Sequence, residues 1–368
     1  MKRVKTVILG AGLSGTYAGY LLTKSGDDDF IILEARDRMG GRIETFNSIF
    51  DLGPTWFWPE MQPALSRLVE TLDLETFDQY DTGDLLFEID PHIPPRRTNG
   101  YHSSPQSKRF IGGVSQLVSA LASQIKPEKI LLNSLAKSIA IDDGQIIVTS
   151  QPRNNQQHSL FSAEQVLLAL PPRLAIETLK FSPALPQELS NQWHQTSTWM
   201  ASHAKYIAIY DQPFWRQSGL SGSAQSRIGP MVEIHDASMP EENAALFGFI
   251  GLDAKTRKTL GKDQLTHLCR QQLVRLFGDK AKQINADFLK DWSQETLTAT
   301  PADLYASHSH SPAPSFTVPL GDWKNKLFGI GSEWSSQFPG YLAGSIDAVE
   351  KALLRSSTDQ KRKAPDAG

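Results

Sequence analysis

The chain has 368 residues, of which 40% are hydrophobic and 21% charged, both ordinary for a globular protein. Its formal net charge of −3 gives no reason to expect a nucleic-acid or anionic-membrane partner. Cys269 is the only cysteine, which excludes an internal disulfide, and no apolar run approaches the ~18 residues of a membrane span. We therefore expect a cytoplasmic protein of about two domains, large enough for a deep ligand pocket.

The first residues predict a βαβ unit. Lys5–Leu9 is an apolar strand, Leu13–Lys24 a helix and Phe30–Leu33 a second strand. The sequence GAGLSG at positions 10–15 is a GxGxxG motif, whose glycines permit a tight turn, a close approach of a pyrophosphate and close helix packing. The basic start followed by apolar residues also fits a signal peptide, but the glycine spacing accounts for the same residues more fully.

A carboxylate and a second glycine pair follow this unit. Glu34 ends the second strand, where a carboxylate accepts hydrogen bonds from ribose hydroxyls. Gly40 and Gly41 predict another close backbone approach, and Arg42 is either a guanidinium for a phosphate or a member of a surface ion pair. A diphosphate held from two sides favours FAD over NAD, and no second GxGxxG follows to suggest a separate NAD(P)H site.

The remaining chain alternates strand-like and helical segments. Residues 59–107 are irregular apart from a predicted helix, Pro63–Leu72. Strands are predicted at Lys129–Ala140, Ile146–Ser150, AEQVLLALPP, AKYIAIY and ALFGFIGL. Asp263–Phe277 predicts a helix that ends at Gly278 and buries Cys269 as a small hydrophobe. The last part predicts a strand, a glycine loop and a helix.

Several motifs in fixed order carry a family resemblance. GAGLSG, LEARDRMGGR and DLGPTWFWP precede RFIGGVSQL, LLALPP, AKYIAIYDQPFW, Asp291-Trp292 and GIGSEWSSQFPGYLAG. Together they resemble the flavin-containing amine oxidases, the monoamine oxidase family. The resemblance implies an α/β protein with a discontinuous, Rossmann-like FAD-binding domain and a second, α+β substrate domain. The first would comprise residues 1–60, 108–195 and 301–355, the second 61–107 and 196–300, and 356–368 a disordered tail.

The resemblance also assigns a cofactor site residue by residue. The ADP half of FAD would bind to Gly10, Gly12, Leu13, Ser14, Gly15, Glu34, Ala35, Arg36, Gly40, Gly41, Arg42 and the backbone of Ala136. The flavin half would bind to Gly53, Pro54, Thr55, Gly331, Ser332, Glu333, Gly340, Tyr341 and Leu342, with a helix N-terminus facing the flavin.

Three residues would serve catalysis. Lys205 matches the family lysine that reaches flavin N5 through a water, and burial on its strand should lower its pKa. Without the resemblance, an outward-facing strand lysine is the better explanation. Trp292 matches a tryptophan that packs on the flavin, although a core tryptophan explains it almost as well. Tyr341 would supply one of two rings that frame the amine, and the other position falls near Ala302.

The sequence departs from the family in three ways. Ser293–Asp303 contains no cysteine, so FAD should be bound non-covalently. The missing second ring could be replaced by Tyr305, Trp334, Phe338 or the cluster Trp56-Phe57-Trp58. Fewer than sixty residues separate Pro54 from Phe110, which predicts a shortened insertion and a more open site. Such a site would accept a bulky or tethered amine, or would be covered by a homo-oligomer or another partner. His308 and His310 lack acidic or cysteine neighbours, so no metal is expected.

The leading functional hypothesis is an FAD-dependent oxidoreductase acting on a small amine. It would oxidise a CH–NH bond to an imine, with O2 as acceptor and release of H2O2. One alternative is a flavin desaturase or oxidase of a larger apolar substrate, which the open pocket favours. The other is a non-catalytic flavin-binding homologue.

Overall fold

The computed structural model describes residues 1–47, 49–152, 157–241, 244–305 and 310–363, the last seven of these by backbone only. Within these residues the helices are α1 (Leu13–Lys24), α2 (Pro63–Thr71), α3 (Ser115–Ser123), α4 (Pro172–Thr178), α5 (Gln187–Gln195), α6 (Phe214–Gln217), α7 (Ala254–Leu260), α8 (Lys262–Phe277) and α9 (Leu342–Lys363). No described helix is both long and apolar enough to cross a membrane.

The described strands form three larger sheets and two short antiparallel pairs, β4 with β5 and β6 with β9. They are β1 (Lys2–Arg3), β2 (Thr6–Leu9), β3 (Phe30–Leu33), β4 (Thr45–Phe46), β5 (Phe50–Asp51), β6 (Thr76–Asp78), β7 (Asp84–Glu88), β8 (Arg96–Thr98), β9 (Lys108–Phe110), β10 (Ile130–Leu131), β11 (Ser134–Asp142), β12 (Gln145–Pro152), β13 (Ser159–Ala163), β14 (Gln165–Leu168), β15 (Lys180–Ser182), β16 (Ala204–Tyr210), β17 (Leu220–Ser226), β18 (Met231–Asp236), β19 (Ala244–Ile250), β20 (Ala286–Asp291) and β21 (Leu327–Gly329).

The predicted βαβ unit lies at the centre of a parallel sheet with the order β10-β3-β2-β14-β21. Every residue of β2, β3 and β14 is buried. One face packs against α1, α3 and α9, and the other against a mixed sheet with the order β1-β13-β12-β11-β15. Burial on both faces explains why these strands are continuous apolar runs. The predicted α/β, Rossmann-like class is confirmed.

A seven-stranded sheet forms the second region, in the order β20-β16-β19-β18-β17-β7-β8. Its strands are antiparallel except for the parallel pair β7 and β17. Helix α8 packs on one face through Leu265, Cys269 and Leu273. β16, which carries Lys205, lies inside this sheet and is buried along its whole length.

Three segments differ from the sequence predictions. The strand predicted over Lys129–Ala140 is divided into β10 and β11, because Asn133 between them has a positive φ of 55° that interrupts the extended chain. At the other end of the molecule, the backbone of α9 is helical through Lys363, whereas the sequence predicts disorder from residue 356 onwards. The irregular stretch 59–107 contains β6, β7 and β8 in addition to the predicted helix.

Candidate active site

A cavity of about 490 Å³ begins at the carboxyl ends of β2 and β3 and extends to Lys205 on β16. Ligands of parallel α/β sheets bind at this edge. The lining contains nearly all the predicted site residues: Gly10, Gly12, Leu13, Ser14, Glu34, Ala35, Arg36, Gly40, Gly41, Arg42, Gly53, Pro54, Thr55, Ala136, Lys205, Trp292, Gly331, Ser332, Gly340, Tyr341 and Leu342. Gly15 and Glu333 lie immediately behind it. The fold therefore brings distant motifs to one place.

The two glycine-bearing segments lie side by side at the first end of the cavity. Gly12 and Gly40 form a parallel β-bridge, and the N–H of Gly40 donates to the carbonyl of Ala11 over 2.8 Å. Gly40 has a φ of 98°, and a Cβ there would lie 2.5 Å from the carbonyl oxygen of Ile43. Glycine is therefore required at this turn. Helix α1 starts beside it without a side-chain cap, so its first N–H groups remain available to an anion.

Glu34 is buried between these segments. Its Oε2 accepts from the backbone N–H of Ala11 over 2.7 Å, and its Oε1 accepts from that of Arg36 over 2.8 Å. Each oxygen keeps a second lone pair for a hydroxyl donor. Arg36, also buried, donates to Thr298 Oγ1 over 2.9 Å and contacts Glu295. These contacts fix the carboxylate and the guanidinium before any ligand binds.

Arg42 forms a bidentate pair with Glu333, which is buried. Its Nη1 and Nη2 lie 2.5 and 2.9 Å from the two carboxylate oxygens, and Nη2 also donates to Ser332 Oγ over 3.1 Å. Burial alone would raise the pKa of Glu333, but the charge and hydrogen bonds of Arg42 hold that pKa below its usual value. Arg42 is therefore in an ion pair within the site, and its contact with a phosphate stays a prediction.

Lys205 lies at the other end of the cavity, with its side chain buried. Its Nζ donates to Thr55 Oγ1 over 2.5 Å and to the Gly53 carbonyl over 3.2 Å, and lies 4.0 Å from the centre of the Phe247 ring. Burial lowers the pKa of Lys205 to about 7, although Asp51 opposes the shift. The predicted burial and lowered pKa are confirmed.

Trp292 contacts the segment Leu52–Thr55, which Lys205 also contacts. Its Nε1–H donates to the Leu52 carbonyl over 3.0 Å, and the ring both lines the cavity and is nearly buried. Trp292 is therefore a buried side chain that also lines the cavity, and its packing on a flavin stays a prediction. The Leu52–Thr55 backbone is held by Trp292 on one side and by Lys205 on the other.

Aromatic side chains surround the mouth of the cavity. The Tyr341 ring, 37% exposed, lies 6.4 Å from the Trp199 ring at an interplanar angle of 34°. Trp58 meets Tyr341 edge-on at 6.4 Å, and His310 stacks on Trp199 at 3.6 Å. Trp199 was missed by sequence reasoning, because nothing in TSTWMAS marks a ring that tertiary packing brings opposite Tyr341.

Of the other aromatic positions predicted, Trp56 lines the cavity, whereas Phe57, Tyr305, Trp334 and Phe338 do not. Counting from Trp292 pointed to Ala302, but Thr296, Leu297 and Thr298 line the cavity instead. Tyr305 is exposed, whereas Phe57 and Trp334 are core residues. His308 lies outside the described residues.

The residues fit FAD. The uncapped start of α1 and the paired glycine turns suit a diphosphate, and the fixed Glu34 carboxylate suits a ribose. Apolar and aromatic walls near Lys205 suit a flat ring system. Cys269, on the face of α8 that packs against the seven-stranded sheet, is outside this lining.

The chain is similar in sequence to proteins named as flavin-containing amine oxidases. The chain is 24% identical to "Probable flavin-containing monoamine oxidase A" of Dictyostelium discoideum over 93% of this chain and 95% of the relative, in an alignment of 451 positions. It is 26% identical to human "Amine oxidase [flavin-containing] B" over 94% of this chain and 84% of that protein. Both alignments are longer than 368 residues, so these relatives have segments without a counterpart in this chain.

Two solved structures share the fold. Putrescine oxidase bound to putrescine superposes with a TM-score of 0.79 at 19% identity, covering 98% of this chain and 99% of that one. Cyclohexylamine oxidase from Brevibacterium oxydans superposes with a TM-score of 0.79 at 20% identity, covering 98% of this chain and 100% of that one. A family model for flavin-containing amine oxidoreductases matches residues 13–92 and 92–352. The chain therefore belongs to the flavin-containing amine oxidoreductase family and is an FAD-dependent oxidoreductase.

Proposed function

We propose that the protein oxidises the CH–NH bond of a small amine to an imine, with O2 as the acceptor and H2O2 as the second product. The observation that carries this proposal is the position of Lys205, a buried lysine with a pKa lowered to about 7, on the wall of an aromatic-lined cavity. When bound, FAD supplies the two-electron redox chemistry. Family membership supports an enzyme over a non-catalytic flavin-binding homologue.

The side chains around the cavity would orient and desolvate the amine. Tyr341, Trp199 and Trp58 present ring surfaces that attract the amine and exclude water from it. Lys205 would hold a water or a proton at Nζ, fixed in place by Thr55 and the Gly53 carbonyl. With Cys269 outside the cavity, we infer that FAD is bound non-covalently.

The charge of the lining supports a monoamine over a diamine. Glu34 is the single carboxylate among the described lining residues, and both of its oxygens already accept backbone N–H groups. A second ammonium on the substrate would therefore be buried without a carboxylate partner, which is unfavourable. This proposal departs from the substrate named for the putrescine oxidase structure.

A matched pair of substrates tests both statements. Pentylamine and putrescine have nearly the same length, but putrescine carries an amino group in place of the terminal methyl. We expect peroxide release from both to depend on FAD, with kcat/KM about tenfold or more higher for pentylamine. Equal values would refute the monoamine preference, and no flavin reduction by any amine of a broad panel would refute amine oxidation.

The apolar lining also supports a second candidate, oxidation of a larger apolar substrate at a C–C or C–N bond. Stopped-flow reduction of the bound flavin by cyclic and polyene substrates, compared with the amine panel, separates the two. Reduction by the apolar substrates alone would favour this candidate.

A further inference from the structure

Three charged side chains from different elements are buried behind the reactive end of the cavity, where Lys205 donates to the carbonyl of Gly53, two residues after Asp51. Asp51 at the end of β5, Arg109 on β9 and Lys205 on β16 are 4%, 1% and 2% exposed. Lys205 reaches the cavity, whereas Asp51 and Arg109 lie behind its lining. A buried cluster of this kind is stable only when its charges compensate one another.

Only one of the two carboxylate oxygens of Asp51 accepts a hydrogen bond among the described atoms. Oδ1 accepts from the backbone N–H of Val114 over 2.8 Å, at the start of α3. Oδ2 is buried and has no hydrogen-bond partner among the described atoms. If Asp51 served only to cap α3, one oxygen would suffice and the second would carry an uncompensated cost.

Arg109 donates its hydrogen bonds to the backbone of Ala237 and Ser238 and not to Asp51. Its Nη1 and Nη2 donate to the carbonyls of Ser238 and Ala237 over 2.9 and 3.0 Å, and its buried Nε has no partner among the described atoms. Lys205 uses two of its three N–H donors on Thr55 and Gly53. The interaction between Asp51 and the two cations is therefore electrostatic rather than a direct hydrogen bond.

Of the neighbouring strands, β20 places Lys290 opposite Lys205 on the same face. Its Nζ lies 2.9 Å from Glu44 and 2.5 Å from Glu295, so its charge is compensated locally. From β19 the side chains facing Lys205 are the apolar rings of Phe247 and Phe249.

β18 contributes three further titratable groups. His235 lies against Phe247 and pairs with Glu233 over 2.9 Å. Asp236 accepts from Trp215 and from Arg216, each over 2.8 Å. Because all three groups have partners of their own, Asp51 is the carboxylate left among the described neighbours of Lys205 to balance its charge.

We propose that Asp51 is the counter-ion of Lys205, and that its unpaired carboxylate oxygen keeps the lysine in the ammonium form beside the flavin site. Asp51 would be a positioning residue that acts through Lys205. This inference rests on the proposed function, which places Lys205 at the reactive end of the cofactor site.

The directions of the pKa shifts agree with a coupled pair. Burial raises the pKa of Asp51 to about 6, and the positive charge of Lys205 opposes this shift. Burial lowers the pKa of Lys205 to about 7, and the negative charge of Asp51 opposes that shift. Between these values the aspartate is ionised and the lysine protonated, and above them the lysine becomes neutral. Removing the charge of Asp51 should therefore lower the pKa of Lys205 further.

The variant Asp51→Asn tests the pair in the FAD-loaded protein. Asn keeps the shape and the acceptor for Val114 but removes the charge. The primary measurement is the midpoint potential of the bound flavin across about pH 6 to 9, which requires no amine turnover. We expect a change of slope near pH 7 in the wild type that disappears in Lys205→Met, and a shift of this break by about one pH unit or more to lower pH in Asp51→Asn.

Two further variants complete the test. Asp51→Glu keeps the charge and should leave the break near the wild-type pH. If Asp51→Asn does not load with flavin, Asp51→Ser, which also removes the charge, replaces it and should show the same shift to lower pH. In Lys205→Met, adding Asp51→Asn should produce no further shift, because Asp51 acts through the lysine. A wild type without a lysine-dependent break, an unmoved break in Asp51→Asn, or an effect that persists in the double variant would each overturn the proposal.

The failure of this inference is separable from that of the proposed function. If amines reduce the flavin but Asp51→Asn leaves the break in place, only the counter-ion proposal fails. If the break shifts as expected but no amine reduces the flavin, the counter-ion proposal stands and amine oxidation fails.

Discussion

Lys205 illustrates how one residue acquires its chemistry from its surroundings. Its strand, AKYIAIY, taken alone favours an outward-facing lysine, and the family resemblance predicts a buried one. Only the three-dimensional structure supplies the partners Thr55, Gly53 and Phe247. A buried ammonium is costly unless it is compensated, so its pKa falls to about 7. The same residue on an exposed strand would be an ordinary surface lysine.

Replacing Lys205 with methionine should slow flavin reduction or reoxidation by about an order of magnitude or more while FAD stays bound. Stopped-flow absorbance of the flavin measures both steps. Lys290→Met is a matched control, since Lys290 lies opposite Lys205 but outside the lining and is paired with Glu44 and Glu295. Wild-type rates in Lys205→Met would remove the lysine from the mechanism.

Trp199 is a second prediction at the residue scale. Trp199→Ala removes the ring that lies 6.4 Å from Tyr341, so we expect the KM for a monoamine to rise about tenfold. Trp199→Phe should retain most of the affinity. Steady-state peroxide assays give KM, and flavin absorbance reports FAD content. An unchanged KM in the alanine variant would show that Trp199 does not contact the amine.

At the scale of elements, the local sequence pattern predicts some helices and strands, whereas others depend on pairing with distant segments. The β2–α1–β3 unit was predictable because its strands are buried on both faces and its helix follows a glycine turn. β7 was not, because it pairs with β17 more than a hundred residues later. Residues 59–107 show no regular alternation of apolar and polar residues, so the strand β7 becomes evident only from its pairing with β17.

The turn between β2 and α1 yields a testable consequence. A Cβ on Gly15 would lie 1.8 Å from the Gly10 carbonyl oxygen, so Gly15→Ala should displace the helix and weaken FAD binding about tenfold or more. Flavin fluorescence during reconstitution of the apoprotein measures this affinity. Gly19→Ala on the same helix is the control, because its closest contacts are the side-chain ends of Ile125 and Ile32. Equal affinities in the two variants would contradict the assignment.

For the molecule as a whole, the cavity joins the parallel sheet to the seven-stranded sheet. Its lining comes from both, with Gly10 and Glu34 at one end and Lys205 and Phe249 at the other. A cofactor bound along this cavity would contact both regions at once and stabilise the folded state through its binding free energy.

Removal of the cofactor should therefore lower the Tm. At a free FAD concentration of about 100 Kd, binding contributes about 2.7 kcal/mol to the free energy of unfolding. Differential scanning fluorimetry of apo and FAD-saturated protein checks the shift. Acid precipitation should release all flavin into the supernatant, whereas yellow, flavin-labelled protein in the pellet would refute non-covalent binding.

The sequence by itself determined the nucleotide-binding unit, the family and most of the residues that line the cavity, because glycine spacing and buried apolar strands are local features of residue order. Only the tertiary structure decided that Arg42 pairs with Glu333, that Trp199 rather than residue 302 faces Tyr341, and that Lys205 donates to the Gly53 carbonyl close to the buried Asp51. These contacts join residues far apart in the chain, and their energies depend on burial and distance, which residue order does not specify.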